Sequence, residues 1–248
     1  MDREYGRFRK EIDAPLSKRS QNPQLILLPM SPYVVNRGTN WTVKNVMSGF
    51  WYLSMPLNYS PPRELEDFIQ QGERPIFISF GSAGWSEEHG GTLMETLFNA
   101  VINAKVRAVI IPNSDIKCNN VPSSICLIND VPYDWMFSKV SCVVHHCGLG
   151  TTAEVLKAGI PSVPVPHIID QFRWAKRVYS LGVATRPIPR KQLTTGTLSQ
   201  AITQALENRE FRKNTYKLAK KLQKEDGLQS AVEAIEHIIQ SNRNGTVA

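Results

Sequence analysis

The stretch His145-His146-Cys147-Gly148-Leu149-Gly150-Thr151-Thr152-Ala153-Glu154 gathers the side chains of this sequence best suited to chemistry. It follows the apolar run SCVVHH and opens a helix-like one. Gly148 and Gly150 let backbone N–H groups approach a ligand, and a helix start adds a positive partial charge. Thr151 and Thr152 add hydroxyl donors, so the turn suits an anion such as a diphosphate. His146 can supply a ring donor or a charge, and Glu154, one turn on, can accept hydrogen bonds from ribose hydroxyls. The same letters also fit plain helix-start chemistry, with Thr151 as cap and Glu154 closing a capping box.

Two other turns have related composition. Phe80-Gly81-Ser82-Ala83-Gly84 closes a β-rich run, and the Ser82 hydroxyl can donate to a phosphate oxygen, although an ordinary βα turn reads the same way. Asp170 and Gln171 follow the run PSVPVP and precede a helix. A carboxylate beside a carboxamide suits sugar hydroxyls, whereas Asp alone suits a helix cap.

Three competing chemistries touch the central turn. Cys142, His145, His146 and Cys147 are all metal-ligand types, yet neighbours on a strand face opposite ways and no second ligand pair exists, so no metal is expected. Gly148 to Ala153 fits GxGxxG/A, with Asp170 twenty residues past Gly150, the spacing of an NAD-dependent oxidoreductase. That fingerprint usually opens its domain, whereas three strand-like runs precede it here. A His–Cys nucleophile would place Cys147 inside a crowded turn, a poor position for attack.

The elements that must hold these turns follow a regular alternation. RPIFISF (74–80), VRAVIIP (106–112), SICLIND (124–130), SCVVHH (141–146) and PSVPVP (161–166) read as strands. Helical stretches lie at about 87–104, 151–158 and 171–180, with two or three more at the C-terminus. Near-continuous apolar strands alternating with helices predict an α/β fold, a doubly wound parallel sheet of Rossmann-like type. Residues 1–72, interrupted by prolines 15, 23, 29, 32, 56, 61 and 62, read as an irregular lead-in, with a helix at 62–72; residues 73–248 form the α/β domain.

Composition narrows the class without choosing a ligand. The 248 residues are 42% hydrophobic, enough for a sizeable core, and carry a net charge of +7. No apolar run approaches a membrane span, and the charged start Met-Asp-Arg-Glu-Tyr lacks a signal-peptide core, so a cytoplasmic protein is expected. Cys118, Cys126, Cys142 and Cys147 form no CxxC pair and read as buried free thiols.

The segment VPYDWMFSKVSCVVHHCGLGTTAEVLKAGIPSVPVPHIIDQFRWAKRVYSLGVATRPIPRKQLT resembles the donor-binding C-terminal half of GT-B UDP-glycosyltransferases. The sterol glucosyltransferases and the bacterial antibiotic glycosyltransferases are the most similar branches. The lead-in NWTVKNVMSGFWYLSMPLNYSPPRELEDFIQQGERPIFISFGS is similar to the region between that family's two domains. The resemblance implies one half of a GT-B fold that transfers a hexose, glucose above all, from a UDP-sugar to a lipophilic hydroxyl such as a sterol. It implies that His146, Gly148, Gly150, Thr151, Thr152 and Ser82 hold the diphosphate, Glu154 the ribose, Val131 the nucleobase, and Asp170 and Gln171 the sugar, without a metal or other cofactor. The pattern differs at Cys147 and Leu149 (usually Gly and Ala) and at HIIDQ (usually FFGDQ). The acceptor domain and its catalytic base are not in this chain, so a binding module, or half of a split enzyme with a separate acceptor-domain partner, is the alternative. Arg209, Lys213, Lys217, Lys220, Lys221 and Lys224 form one stripe of helix 209–224. A solvated face is the plain reading and peripheral contact with anionic lipid the sharper one; no nucleic acid is expected.

Overall fold

A run such as Ile76-Phe77-Ile78-Ser79 has no polar face, so it is stable only where both sides are covered. The computed structural model, which describes residues 23–53, 56–81, 90–112 and 120–243, covers it on both. Strands β3 (Ile76–Ser79), β4 (Ala108–Ile111), β5 (Ile125–Leu127), β6 (Val143–His145) and β7 (Ser162–Pro164) form one parallel sheet in the order β5-β4-β3-β6-β7. Alternate residues of β3 point to opposite cores. Ile76, Ile78 and Phe80 meet Leu97 and Val101 of α2 (Gly90–Asn103) and Leu198 and Ile202 of α6 (Thr195–Glu207). Phe77 meets Leu65 of α1 (Arg63–Gln70), Met136 and Phe137 of α3 (Tyr133–Phe137), and Val155 of α4 (Leu149–Ala158).

The chain runs outward from β3 to β5 and then returns to pair β6 on the other side of β3. That reversal opens a crevice outside the carboxyl ends of β3 and β6, where the connections leave in opposite directions.

The described part of the lead-in is mostly irregular, with one short parallel pair, β1 (Ile26–Leu28) and β2 (Asn45–Met47). It is nonetheless part of the core. Val34 and Phe50 are buried with Ala153 and Leu156 of α4, Val178 of α5 (Gln171–Ser180), and Leu218 and Leu222 of α7 (Arg209–Leu222). The last helix, α8 (Gly227–Arg243), starts where Gly49 and Phe50 cross it. Among the described residues no helix is long and apolar enough to cross a membrane.

Candidate functional site

The ends of β3 and β6 are in register, with Ser79 opposite His145, so Gly81 and His146 emerge side by side. Gly81 takes φ = +62°, and a Cβ there would lie 2.9 Å from the His146 Cε1. A Cβ on Gly148 would lie 2.5 Å from His146 Nε2. Two glycines from different turns therefore leave the space that the imidazole fills. Gly150 has nothing within 4 Å of where its Cβ would be, so its small size is not demanded by the protein itself.

Helix α4 starts earlier than a threonine cap would place it. Its N-cap is Gly148, which has no side chain to offer, and Thr151 is already the third helical residue; this overturns the capping-box reading of Thr151 and Glu154. The first helical bond runs from the Thr152 N–H to the Gly148 carbonyl, 2.9 Å. The N–H groups of Leu149, Gly150 and Thr151 thus have no acceptor within the helix, which is the condition for anion binding at a helix start. Thr152 is fully buried with its hydroxyl unpaired among the described residues, and Thr151 is 9% exposed. The backbone, more than the hydroxyls, faces the crevice.

Burial lowers the pKa of His146, opposed by a backbone group of Ser79 and by the charge of Asp170. The charge of Asp170 acts on the ring from the start of α5 (Gln171–Ser180). Asp170 stands at the N-cap of α5, yet its exposed side chain makes no capping bond. Gln171 behaves differently. It is buried, and its Oε1 accepts from the N–H of His167 (2.8 Å) and of Ile168 (3.1 Å), which ties the 167–171 turn together.

Glu154 is half-buried on α4, with its pKa raised by burial, lowered by Lys157 and raised by Asp134 at the start of α3. Val131, just before α3, is buried in the core beneath β3, which leaves its backbone as the part able to meet a ligand. Ser82 and Cys118 lie outside the described residues. Cys126, Cys142 and Cys147 are free and buried. Burial pushes the Cys147 thiol far up, which removes it as a nucleophile.

Two residues not singled out in the sequence lie at the edge of this site. His167 hangs from the end of β7 and reaches across to β3, edge-on to Phe80 at 5.1 Å, with neither ring nitrogen hydrogen-bonded among the described residues. Burial, then Arg190 and His146, bring its pKa down to about 4. Ile169 holds φ = +31° on the exposed rim. The only sequence sign of either was the departure of HIIDQ from the related pattern.

His145 underlies the site and sets an acid limit on the fold. It is fully buried; its Nδ1 accepts from the Cys147 N–H at 3.3 Å, and burial brings its pKa to about 3 from 6.5. Between those values the unfolded chain binds a proton that the folded chain refuses, so stability rises with pH across that window and is complete above 6.5. The slope from this group is at most about 1.4 kcal/mol for each pH unit. Urea unfolding at pH 4 to 7 should show a flatter profile for His145→Asn; an unaltered slope would mean that His145 titrates freely.

Residues 95–237 match the family model for the erythromycin biosynthesis protein CIII-like C-terminal domain. The chain belongs to this family. Members of similar sequence include a sterol 3-beta-glucosyltransferase of Arabidopsis thaliana, 35% identical over 82% of this chain and 33% of the relative. An O-mycaminosyltylonolide 6-deoxyallosyltransferase of Streptomyces fradiae is 28% identical over 88% of this chain and 51% of the relative. The chain thus spans about a third of the plant relative and half of the bacterial one. The solved structure of the kitacinnamycin glycotransferase has the same fold, with a TM-score of 0.72 at 19% identity, over 95% of this chain and 60% of that one. In this CIII-like domain the Gly148–Thr152 turn follows the fourth strand of the five-stranded sheet, and Asp170 stands beyond β7 at a helix start, an arrangement that gives the NAD reading no support.

Proposed function

We propose that the chain is the donor-binding half of a UDP-glycosyltransferase that moves a hexose, glucose in the first instance, to a lipophilic hydroxyl of the sterol type. The observation that carries this is the crevice itself. An imidazole wedged between Gly81 and Gly148, three uncapped N–H groups at the start of α4, and the Asp170 carboxylate face one opening. The helix start and the His146 ring bind the diphosphate and stabilise the charge on the departing UDP, a task that needs no metal in this reading. Glu154 takes the ribose, the Val131 backbone the base, Asp170 the sugar hydroxyls, and Ser82 a phosphate oxygen. The Gln171 Oε1 already serves two backbone N–H groups, so its part toward the sugar falls to the amide nitrogen or to fixing Asp170. The base that deprotonates the acceptor is assigned to no residue of this chain.

Titration calorimetry with UDP, UDP-glucose and NAD tests the reading. UDP and UDP-glucose should bind and NAD should not; the reverse order would sink it. UDP-glucose binding without transfer to a sterol, even when an acceptor domain is supplied, would favour a binding module.

The sterol reading gives the basic helix a partner. Helix α7 ends at Leu222, which leaves Lys224 outside it; with Arg212 it carries six cationic side chains against Glu210, and its exposed face includes Tyr216 with the Lys220 ammonium 5.4 Å over its ring. Each cation near an anionic bilayer contributes about 1 kcal/mol. The chain should therefore sediment with phosphatidylserine vesicles at low salt and be released as salt is raised. Equal sedimentation with neutral vesicles would remove anionic headgroups as the partner of α7.

A further inference from the structure

Ile169 is built against the preference of its own residue type. It holds φ = +31°, in the left-handed region where a β-branched side chain is an outlier. It is also 85% exposed, so little packing within the chain offsets the strain. The turn that enforces the conformation is fixed from beneath, by the two bonds to Gln171 Oε1 and by the Gln171 N–H donating to the Ile168 carbonyl at 3.0 Å. Glycine would satisfy this backbone without strain.

The neighbours of Ile169 repeat the anomaly. Ile168 is 47% exposed and Phe172 45%, on either side of Asp170, whose charge reaches His146. A connection between strand and helix asks only for polar or small residues. Here three large apolar side chains stand in water at the edge of the donor crevice, the kind of patch that marks a contact surface.

We propose that Ile168, Ile169 and Phe172 form an apolar rim that receives the hydrocarbon of the acceptor, with Ile169 the specificity-determining residue. The inference rests on the transferase reading above. An acceptor hydroxyl attacking a sugar held by Asp170 must come within a side chain's length of residues 168–172. The hydrocarbon attached to that hydroxyl then lies against the rim and is desolvated there, whereas a small polar acceptor gains nothing from it. Strain at a residue whose side chain has no internal task is consistent with a backbone shaped for a ligand.

The test separates fold, donor and acceptor. Wild type, Ile169→Gly and Ile169→Asn are compared for thermal unfolding, for UDP-glucose affinity, and for binding of the fluorescent sterol dehydroergosterol in the presence of UDP. Asparagine tolerates the left-handed backbone, so both variants fold. Both should melt no lower than wild type and hold UDP-glucose within about twofold, yet bind the sterol at least tenfold more weakly; a twofold limit is a small fraction of the 1.4 kcal/mol that tenfold represents. Sterol affinity unchanged in both variants, or absent in the wild type, overturns the rim. Failure of the wild type to bind UDP-glucose overturns the donor reading instead and is seen in a separate measurement.

Discussion

Alanine at position 148 is expected to abolish UDP binding while leaving the fold in place. The added Cβ would stand 2.5 Å from His146 Nε2 and 3.2 Å from its Cε1, far inside contact distance. The ring cannot retreat toward β3, because the Gly81 backbone closes that side and a Cβ there would already be 2.9 Å away. His146 must therefore leave its seat or the start of α4 must shift, and either change breaks the alignment of ring and helix N–H groups. Losing the imidazole alone, as in His146→Ala, removes a hydrogen bond to a charged group, about 1–3 kcal/mol. Gly148→Ala should exceed that and weaken UDP by a hundredfold or more, since each 1.4 kcal/mol is about tenfold. Gly150→Ala is the control: beyond its own helix backbone nothing lies within 4 Å of its Cβ, so a loss of affinity there reports contact with the nucleotide itself. Calorimetry beside thermal unfolding decides the matter, and wild-type UDP affinity in Gly148→Ala would refute the seat described for His146.

The largest effect on stability is expected far from the crevice, at Gly227. A Cβ at this first residue of α8 would meet the Phe50 carbonyl oxygen at 2.2 Å and the Gly49 carbonyl carbon and oxygen at 2.9 Å each. These are backbone atoms, unable to turn aside as a side chain would. Gly49 is itself at φ = +95°, a conformation that suits glycine. Relief must come from lifting the lead-in, which draws Phe50 (1% exposed) away from Trp174, Leu218 and Leu222. Exposing such a ring costs about 1.5–3 kcal/mol, and overpacking adds about 1–3 more. Gly227→Ala should lose about 3 kcal/mol or more and melt about 6–12 °C lower, at about 2–4 °C for each kcal/mol in a chain of this size. A melting point within about 2 °C of wild type would show that the crossing is loose.

How much of this was legible beforehand depends on the range of the interaction concerned. The five strands were readable because each is a short apolar run that only a doubly covered parallel sheet can bury. The turn Gly148–Thr152 was readable because glycine and a helix start are local features. The helix boundary was not: Thr151 is a good cap by type, but His146 fills the space beside Gly148, and the helix begins there instead. Gln171 was equally opaque. Its carboxamide reads as a ligand group, and although both bonds span only three or four residues, nothing in the letters HIIDQ announces a turn tight enough to fold two N–H groups onto its oxygen.

The amino-acid sequence by itself determined the fold class, the glycine-rich turn at a helix start and the motif through which the family is recognised, because these rest on periodicity and on contacts within a few residues. Tertiary structure alone decided that Gly81 and Gly148, 67 positions apart, enclose one imidazole, that the charge of Asp170 acts on it, and that Phe50 of the lead-in belongs to the core. It also decided that Ile169 stands strained and exposed beside the site. Each depends on the order β5-β4-β3-β6-β7, which brings the ends of distant strands together and which no local pattern specifies.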